Sequence, residues 1–306
     1  MTPIKSFALV LLYYDNALLL KKWLRRLYFH SDYIKFVDKA TIIVADSGTP
    51  YDKISDTQDA IEDFKLHDLN EEDYEKVCIL YARADTDAIR KTVSSHIDAR
   101  PACHAYNMAC LDISKSDLIY TSVIGQIFTP KYFEQTLLLH LQDEKAVVLP
   151  KRFDLDCNDY HENYYNKDFS ELKKFKFLPS GGWPDMSVRR KWIQEVGGWD
   201  ENYITIAPVD MDLASRLCGK LDDGTESNRI FPQKSKFNNL GLNFYQPFVE
   251  DKILSLTCNT YKGHIHTNDS RRQLGYEIGL KYYLENWGKI KRNENRIPLK
   301  YIIKEL

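Results

Sequence analysis

Acidic and aromatic side chains suited to chemistry are concentrated in one segment of the second half of the chain. Residues 197–201 have the sequence Gly-Gly-Trp-Asp-Glu, and Asp210 and Asp212 follow shortly after. The pattern over Pro208–Leu217 predicts a helix with proline at its start, which places both acids in its first turn. The helix dipole favours an ionised carboxylate there, and such a carboxylate in a cleft can act as a general base. Asp210 is therefore the candidate catalytic residue; the alternative is that the two acids only cap the helix.

A second candidate site residue follows a predicted strand of the first half. Asp46 comes directly after the β-branched run Thr41–Ala45, and a Ser-Gly pair comes after it. A carboxylate in this position can accept a hydrogen bond from a base N–H or a ribose hydroxyl, and the glycine lets the backbone approach a ligand closely. The alternative is an ordinary Asp-Ser-Gly turn that binds nothing. The sequence leaves both interpretations open.

The elements that must position these residues alternate between short apolar strands and helices in the first half. The predicted strands are Phe7–Tyr14, Thr41–Ala45, Val77–Tyr81, Leu118–Ser122 and Ala146–Leu149. The predicted helices are Asn16–Phe29, Ile54–Phe64, Pro101–Ile113 and Pro130–Leu141. Alternation of this kind predicts an α/β fold, with a mostly parallel central sheet covered by helices on both faces.

Ligands of such folds bind beyond the carboxyl ends of the strands. The residues that follow the first three predicted strands are polar: Asp15, Asp46, and the pair Arg83 and Asp85. We expect these side chains to lie along one edge of the sheet and to bind a nucleotide. The fourth strand is followed by residues 122–126, Ser-Val-Ile-Gly-Gln, which contain no acid.

The second half is less regular, and a single domain over residues 1–288 is predicted. Its halves are a nucleotide-binding part, 1–150, and an acceptor or catalytic part, 151–288, followed by a basic C-terminal tail, 289–306. Elements predicted in the second half are a polar loop over Arg152–Lys176, a turn and strand over Gly181–Arg190, a helix over Lys191–Val196, a loop over Leu221–Leu240, a strand over Ile253–Asn259 and a helix over Ser270–Trp287.

Charge balance, the length of apolar runs and missing motifs exclude or disfavour several classes of protein. The 306 residues carry 42 Lys and Arg against 44 Asp and Glu, so the basic footprint of a nucleic-acid-binding protein is missing. The longest apolar run, Phe7–Tyr14, is far shorter than the about 20 residues of a membrane span, so no transmembrane segment is predicted. The sequence has no GxGxxG, GxxxxGK[ST] or GxSxG motif, which lowers the rank of dinucleotide oxidoreductases, P-loop NTPases and α/β-hydrolases.

The cysteines predict a reducing compartment. They show no CxxC pair or zinc spacing, and without a secretion signal we interpret them as buried, reduced thiols of a cytoplasmic protein. The basic tail could contact anionic lipid at a membrane surface, although a solvated terminus is the simpler interpretation. The six cysteines are Cys78, Cys103, Cys110, Cys157, Cys218 and Cys258.

Taken together, the motifs resemble those of family-2-type glycosyltransferases of the GT-A fold. The segment from Gly-Gly-Trp-Asp-Glu to Arg216 is the specific part of this resemblance, which extends over about residues 7–288. The matching segments are 42–48 (Ile-Ile-Val-Ala-Asp-Ser-Gly), 105–107 (Ala-Tyr-Asn), 186–190 (Met-Ser-Val-Arg-Arg), 197–201, 210–217 and 281–288.

The resemblance implies transfer of a sugar, with inversion, from a nucleotide-sugar donor such as a UDP-sugar to a hydroxyl of a glycan, lipid-linked or protein acceptor. Asp210 would accept the proton of the acceptor hydroxyl, and Asp46 would contact the base or ribose. Further roles implied by the motifs are diphosphate binding by Arg189 and Lys262, and substrate contacts by Trp183, Trp199, Asp200 and Glu201.

The chain departs from the family pattern where the metal-binding DxD motif is expected. Residues 123–125 are Val-Ile-Gly, and neither valine nor glycine supplies the oxygen ligands that a hard cation requires. Binding of Mn²⁺ or Mg²⁺ is therefore expected to be weak or absent, with His264 and His266 as substitute ligands. The acid before the usual base is also replaced, by Val209. These departures leave a second hypothesis open, a non-catalytic homologue that binds a nucleotide sugar or a partner.

Overall fold

The computed structural model describes most of the first half of the chain and parts of the second. The described residues are 4, 6–30, 39–92, 101–128, 132–149, 151–155, 177–180, 185–204, 209–217, 240, 242–245, 254–258, 270–286, 293 and 296–306.

The first strands and helices follow directly from the apolar pattern. Strand β1 (Ser6–Tyr13) is apolar and buried along nearly its whole length, as expected for a central parallel strand. Helix α1 (Ala17–His30) begins where the Asn16 side chain caps the backbone N–H of Leu19 at 3.1 Å. Strand β2 (Lys39–Asp46) and helix α2 (Ile54–His67) follow, and α2 buries apolar residues at helical spacing.

The remaining elements of the first half continue this alternation. They are α3 (Glu71–Tyr74), β3 (Val77–Ala84), α4 (Asp87–Thr92), α5 (Ala102–Asn107), β4 (Leu118–Val123), β5 (Gln126–Phe128), α6 (Tyr132–Gln142) and β6 (Ala146–Val148). Helix α5 continues as a π-helical turn over Met108–Ile113.

The described elements of the second half are shorter. They are β7 (Lys151–Leu155), β8 (Phe177–Ser180), β9 (Met186–Arg189), α7 (Arg190–Glu195), α8 (Val209–Leu217), β10 (Asn243–Tyr245), β11 (Leu254–Cys258), α9 (Ser270–Glu285) and β12 (Tyr301–Glu305).

The described strands form a large mixed sheet and a smaller one. The large sheet has eight strands in the order β10-β6-β9-β4-β1-β2-β3-β12, and the small sheet has the order β5-β11-β7-β8. In the large sheet β1 pairs in parallel with both β2 and β4, whereas β9 runs antiparallel between β4 and β6. The chain thus leaves β1 toward β2 and β3 and returns on the other side of β1 as β4.

Two apolar layers cover the two faces of the large sheet. Alternate residues of β1 point to opposite sides, so Leu9 and Leu11 pack with Trp23 of α1, while Ala8 and Val10 belong to the cluster on the other face. That second cluster includes residues of α5, α7 and α8. The 197–201 segment is therefore carried by the face of the sheet opposite to α1 and α2.

The predicted α/β architecture with a mostly parallel central sheet is confirmed, and each predicted helix and strand of the first half is present with shifted ends. The polar loop predicted over Arg152–Lys176 is wrong for its first residues, which form β7 and pair with β8 and β11. Pairing with distant segments stabilises this polar strand, and no local pattern shows it. Among the described residues, no helix is long and apolar enough to cross a membrane.

Part of the predicted basic tail belongs to the central sheet. Strand β12 pairs antiparallel with β3, and the backbone N–H of Leu306 donates to the carbonyl oxygen of Ile79 at 3.1 Å. The side chains of β12 are largely exposed, which is why composition alone suggested a solvated terminus.

Acid should destabilise this fold through one buried histidine on α6. Burial, together with the nearby charge of Arg189, lowers the pKa of His140 to about 3, and His140 contacts the Ser187 hydroxyl at 2.8 Å. An unfolded histidine titrates near pH 6.5, so below that pH the unfolded state binds a proton that the folded state does not. The free energy of unfolding therefore falls as the pH drops from about 6.5 toward 3, by about 2 kcal/mol at pH 5.

Urea unfolding of His140→Gln at pH 7 and pH 5 tests this expectation. The variant should lose about 2 kcal/mol less than the parent protein between the two pH values. His67→Gln is the matched control, because His67 is an exposed histidine on α2. An unchanged pH dependence in His140→Gln would contradict the assignment.

Candidate functional site

The strand order marks the carboxyl ends of β1 and β4 as the place where an open α/β sheet binds its ligand. Ligands of open α/β sheets bind where consecutive connections leave a strand in opposite directions, and β1 and β4 are that pair here. Tyr14 and Asp15 follow β1, and Asp15 has a positive φ of 40°. The turn after β4 passes through Gly125, whose φ is 99°. The predicted nucleotide-binding residues thus lie along the carboxyl edge of the sheet.

Asp46 builds a turn at this edge and has no oxygen free for a ligand. Its Oδ1 accepts from the backbone N–H groups of Gly48 and Thr49 and from the Thr49 hydroxyl at 2.8–2.9 Å. Its Oδ2 accepts from the Tyr81 hydroxyl at 2.6 Å. The residue is fully buried, and burial raises the pKa of its carboxyl despite these bonds. The prediction that Asp46 contacts the base or ribose does not agree with this arrangement, whereas the alternative of a structural Asp-Ser-Gly turn does.

Arg83 also has a structural position. Its guanidinium is buried, donates from Nε to the carbonyl oxygen of Thr49 at 2.7 Å and approaches Asp87 on α4 at 3.4 Å. It lies under the ring of Tyr51, 4.0 Å from the ring centre. The half-buried Asp85 follows directly, and its backbone N–H donates to the carbonyl oxygen of Lys300. Arg83 therefore supports the 46–51 turn instead of reaching a diphosphate.

Two tyrosines at this edge are exposed and were not predicted as site residues. Tyr14 and Tyr51 are 45% and 58% exposed. Each ring is backed by a guanidinium, Arg90 at 4.7 Å under Tyr14 and Arg83 under Tyr51. Exposed rings held in this way offer flat faces for a nucleobase. Their only sequence signal is that one follows β1 and the other follows the turn after β2.

Asp15 directly follows Tyr14, and Lys53 lies two residues after Tyr51. Asp15 and Lys53 form an ion pair at 2.7 Å. The backbone N–H of Asp15 donates to the Thr49 hydroxyl at 2.9 Å, which ties the ends of β1 and β2 together. Lys53 is about half exposed, and its contact with Asp15 raises its pKa. This pair offers both a carboxylate and an ammonium group at the carboxyl edge.

The 197–201 segment is a buried loop that side chains hold from several directions. The Trp199 indole is 1% exposed and stacks on Tyr106 of α5 with ring centres 4.6 Å apart. Asp200 is fully buried and accepts from Asn202 and from the Tyr282 hydroxyl of α9. Glu201 accepts from Asn107 at 3.0 Å. The predicted substrate roles of Trp199, Asp200 and Glu201 do not agree with these positions, because their contacts are internal to the fold.

Asp210 lies beside this loop in the first turn of α8 and is half-buried. Its Oδ1 is 3.4 Å from the indole Nε1 of Trp199. Asp212, by contrast, is buried and pairs with Arg216 at 2.8 Å, while the Arg216 guanidinium also donates to the carbonyl oxygens of Val196 and Gly198. The two acids of this helix therefore differ: Asp212 is buried and stabilises the loop through Arg216, and Asp210 is half-buried beside Trp199.

Tyr106 connects Asp210 to the end of β4. Its hydroxyl contacts the carbonyl oxygen of Ser122 at 3.3 Å. Burial raises the pKa of Tyr106, and the nearby charges of Asp210 and Asp185 raise it further. The Tyr106 ring stacks on Trp199, whose indole N–H reaches Asp210, so contacts run from the end of β4 through Tyr106 and Trp199 to Asp210. The main chain of Asp46, at the end of β2, is two strands away from the end of β4, a separation of roughly 10 Å at about 4.8 Å per strand.

Asp185 is a buried carboxylate at the end of β4 that the sequence analysis did not single out. It is fully buried directly before β9, and its Oδ1 accepts from the Ser122 hydroxyl at 2.8 Å. It lies inside the predicted turn and strand over Gly181–Arg190, where a single acid is an ordinary feature of sequences.

Arg189 lies at the opposite edge of the sheet. Because β9 is antiparallel to β4, Met186 pairs with Thr121 near the carboxyl end of β4, and Arg189 pairs with Leu118 at its start. The Arg189 guanidinium is buried and donates to the carbonyl oxygen of His140 at 3.0 Å. This position is away from the carboxyl edge, and diphosphate binding by Arg189 stays a prediction. The other predicted residues, Trp183, Lys262, His264 and His266, lie outside the described residues.

The residues at the end of β4 do not fit a divalent metal ion. Positions 123–125 supply two apolar side chains and a glycine, and Ser122 is already bonded to Asp185. The chemistry of these side chains is wrong for a hard cation, which requires several oxygen ligands. Across the described part of the chain, no cluster of three or more potential ligands occurs.

Comparisons with known proteins add a distant likeness of fold. No family model matches the sequence, and no curated protein matches it. Among solved structures, the chain is similar to GalNAc-T7, crystallised with UDP, GalNAc and Mn²⁺, at 10% identity and a TM-score of 0.46. The match covers 71% of this chain and 41% of that one, so this chain spans less than half the length of that relative. A likeness this distant supports no inference about substrate or mechanism.

Replacement of Asp46 should reveal its structural role. Asp46→Ala leaves two backbone N–H groups and two hydroxyls without their acceptor, and we expect a loss of about 3 kcal/mol in the free energy of unfolding. Asp52→Ala, an exposed acid of the same loop, should change it by less than about 0.5 kcal/mol. Urea unfolding measures both, and equal effects of the two substitutions would contradict the structural role.

Proposed function

We propose that this protein is a glycosyltransferase of the GT-A type, which transfers a sugar from a UDP-sugar donor to an acceptor hydroxyl with inversion. The first half, residues 1–150, binds the donor, and residues 151–288 supply the base and the acceptor surface. The observation that supports this proposal best is the set of side chains at the carboxyl ends of β1, β2 and β4. Exposed aromatic and charged side chains lie at the β1 and β2 ends, and contacts through Tyr106 and Trp199 link the half-buried Asp210 to the β4 end.

The donor's nucleotide binds at the ends of β1 and β2. Tyr14 and Tyr51 stack on the base, in place of the hydrogen bond first expected from Asp46. Asp15 and Asp85 accept from ribose hydroxyls, and both carboxylates lie at the carboxyl edge. Asp46 acts indirectly, because it holds the turn that leads to Tyr51.

Asp210 is the general base of the transfer. Its carboxylate accepts the proton of the acceptor hydroxyl, the hydroxyl oxygen forms a bond to the anomeric carbon, and the bond from that carbon to the diphosphate oxygen breaks. The electron pair of the broken bond leaves with the nucleoside diphosphate. Fixed cations must stabilise this developing charge. Lys53 is a described cation that contacts one of the proposed ribose ligands, Asp15, at 2.7 Å, and Lys262, His264 and His266 are proposed to assist.

A non-catalytic role is the second candidate. The apolar residues at 123–125 and Val209 in place of an acid favour a homologue that binds a nucleotide sugar, or a partner enzyme, without turnover. A homologue that binds a nucleotide sugar without turnover also predicts donor binding, so binding alone does not separate it from a catalyst. Turnover that depends on Asp210 does.

Asp210→Asn should abolish turnover while leaving the donor site intact. We expect transfer or hydrolysis of a UDP-sugar to fall by more than about 100-fold, because the amide cannot accept the proton, and UDP affinity to change by less than about 2-fold. Asp59→Asn, an exposed acid on α2, is the matched control for both measurements. UDP binding without turnover in the unmodified protein, over a broad panel of sugars and acceptors, would instead support the binding module.

The two exposed tyrosines should determine nucleotide affinity. Tyr51→Ala removes one stacking face, and we expect the dissociation constant of UDP to rise by roughly 5- to 20-fold, since base stacking contributes about 1–3 kcal/mol. Tyr74→Ala is the matched control, because Tyr74 is equally an exposed tyrosine backed by a cation, Lys65 at 4.5 Å. Calorimetric titration with UDP measures both. Equal affinities in the two variants would place the base elsewhere.

A further inference from the structure

The last described residues of the chain reach the loop that holds the proposed base. We call residues 293 and 296–306 the C-terminal strap. Its end, β12, extends the central sheet beside β3, and its beginning contacts the 197–201 loop. The strap thus contacts both halves of the molecule.

Asn293 bonds the loop along its backbone. Its Nδ2 donates to the carbonyl oxygens of Gly197 and Trp199, at 2.8 and 2.5 Å, and its Oδ1 accepts from the backbone N–H of Glu201 at 3.1 Å. Asn293 has a positive φ of 55°, a conformation that asparagine tolerates better than most residues. One side chain therefore satisfies three polar groups of an irregular buried segment.

Arg296 adds a charged contact to the same loop. Its Nε donates to Glu201 at 2.5 Å, and its two terminal nitrogens donate to the two oxygens of Asp112 at 2.8 Å. The guanidinium is only 10% exposed, and its two carboxylate partners raise its pKa despite burial. Bidentate geometry of this kind fixes orientation as well as distance. Arg296 therefore fixes the 197–201 loop to the π-helical turn after α5.

The loop transmits this restraint to Asp210 through Trp199. Asn107 of α5 bonds both the backbone N–H and the carbonyl oxygen of Trp199, at 2.8 and 2.7 Å, and Tyr106 stacks on its ring. The indole N–H then reaches Asp210 at 3.4 Å, a distance at which a small displacement makes or breaks the bond.

The geometry points to Asn293 and Arg296 as positioning residues, which act through Glu201 and Trp199 to hold Asp210 in its reactive orientation. This inference rests on the proposed role of Asp210 as general base. A base displaced by about 1 Å can lose about two orders of magnitude in rate, so the strap would affect kcat without contacting a substrate.

Kinetics test the positioning role. Arg296→Gln should lower kcat by roughly 10- to 100-fold and leave the KM of the donor unchanged. The acidic limb of the pH–rate profile should move to higher pH, because a carboxylate that loses a hydrogen-bond donor is more easily protonated. A merely structural role would scale activity with the folded fraction and leave the limb in place. Lys304→Gln is the matched control, since Lys304 is also a strap cation paired with a carboxylate, Glu62 on α2.

Indole NMR of the full chain tests the coupling independently of turnover. The chain has five tryptophans, and the indole resonance that is lost in Trp199→Phe identifies that of Trp199. Arg296→Gln and Asp210→Asn should each shift this resonance, and Lys304→Gln should not. Should Arg296→Gln fail to fold, Asp112→Asn removes one of the two carboxylates bound by Arg296 and should give a smaller shift.

The two measurements separate the possible failures. A Trp199 resonance that is unchanged in Arg296→Gln, or in Asp112→Asn where that variant is used, overturns the strap's positioning role. The positioning role is also overturned if Arg296→Gln leaves both kcat and the acidic limb of the pH–rate profile unchanged. Absence of turnover in the unmodified protein refutes the proposed function instead, and the shift of the indole resonance still shows whether the strap controls Trp199.

Discussion

The proposed active site depends on a loop without regular secondary structure whose backbone polar groups must still be bonded. Buried carbonyl and N–H groups that lack partners are costly, so side chains supply the partners for the 197–201 loop. Arg216 binds the carbonyl oxygen of Gly198, and both Asn107 and Asn293 bind the backbone of Trp199. Gly198 has φ of 73°, and a Cβ there would lie 2.2 Å from the Asn107 Oδ1. The close approach of Asn107 thus requires glycine at this position.

Side chains also satisfy the backbone polar groups of the turn after β2. Asp46 gathers four donors around a tight turn, and Gly48, with φ of 110°, packs where a side chain would meet the Thr86 hydroxyl at 2.2 Å. In both places the most recognisable residues of the sequence shape a loop. Their neighbours in the chain are more exposed: Tyr51 is 58% exposed, and Asp210 is half-buried.

This division explains what could be predicted from the sequence. The strand and helix pattern was sufficient for the α/β sheet and for locating Asp46 at its carboxyl edge, because buried strands are apolar runs with local signals. The structural role of Asp46 depends on the Tyr81 hydroxyl of a neighbouring strand, which no local pattern reveals. The position of Arg189 depended on the direction of β9, and an antiparallel strand has the same composition as a parallel one.

The strap is the clearest case of residues whose role a local sequence pattern does not reveal. Residues 289–306 have the composition of a solvated tail, and only long-range contacts make Asn293 and Arg296 part of the site. Because β12 is an edge strand with exposed side chains, its local stability is expected to be lower than that of the central strands. The same segment restrains the loop beside Asp210, so opening of the strap would release the base before the sheet unfolds. The orientation of Asp210 would then depend on the local stability of the edge strand β12, not on the stability of the apolar core.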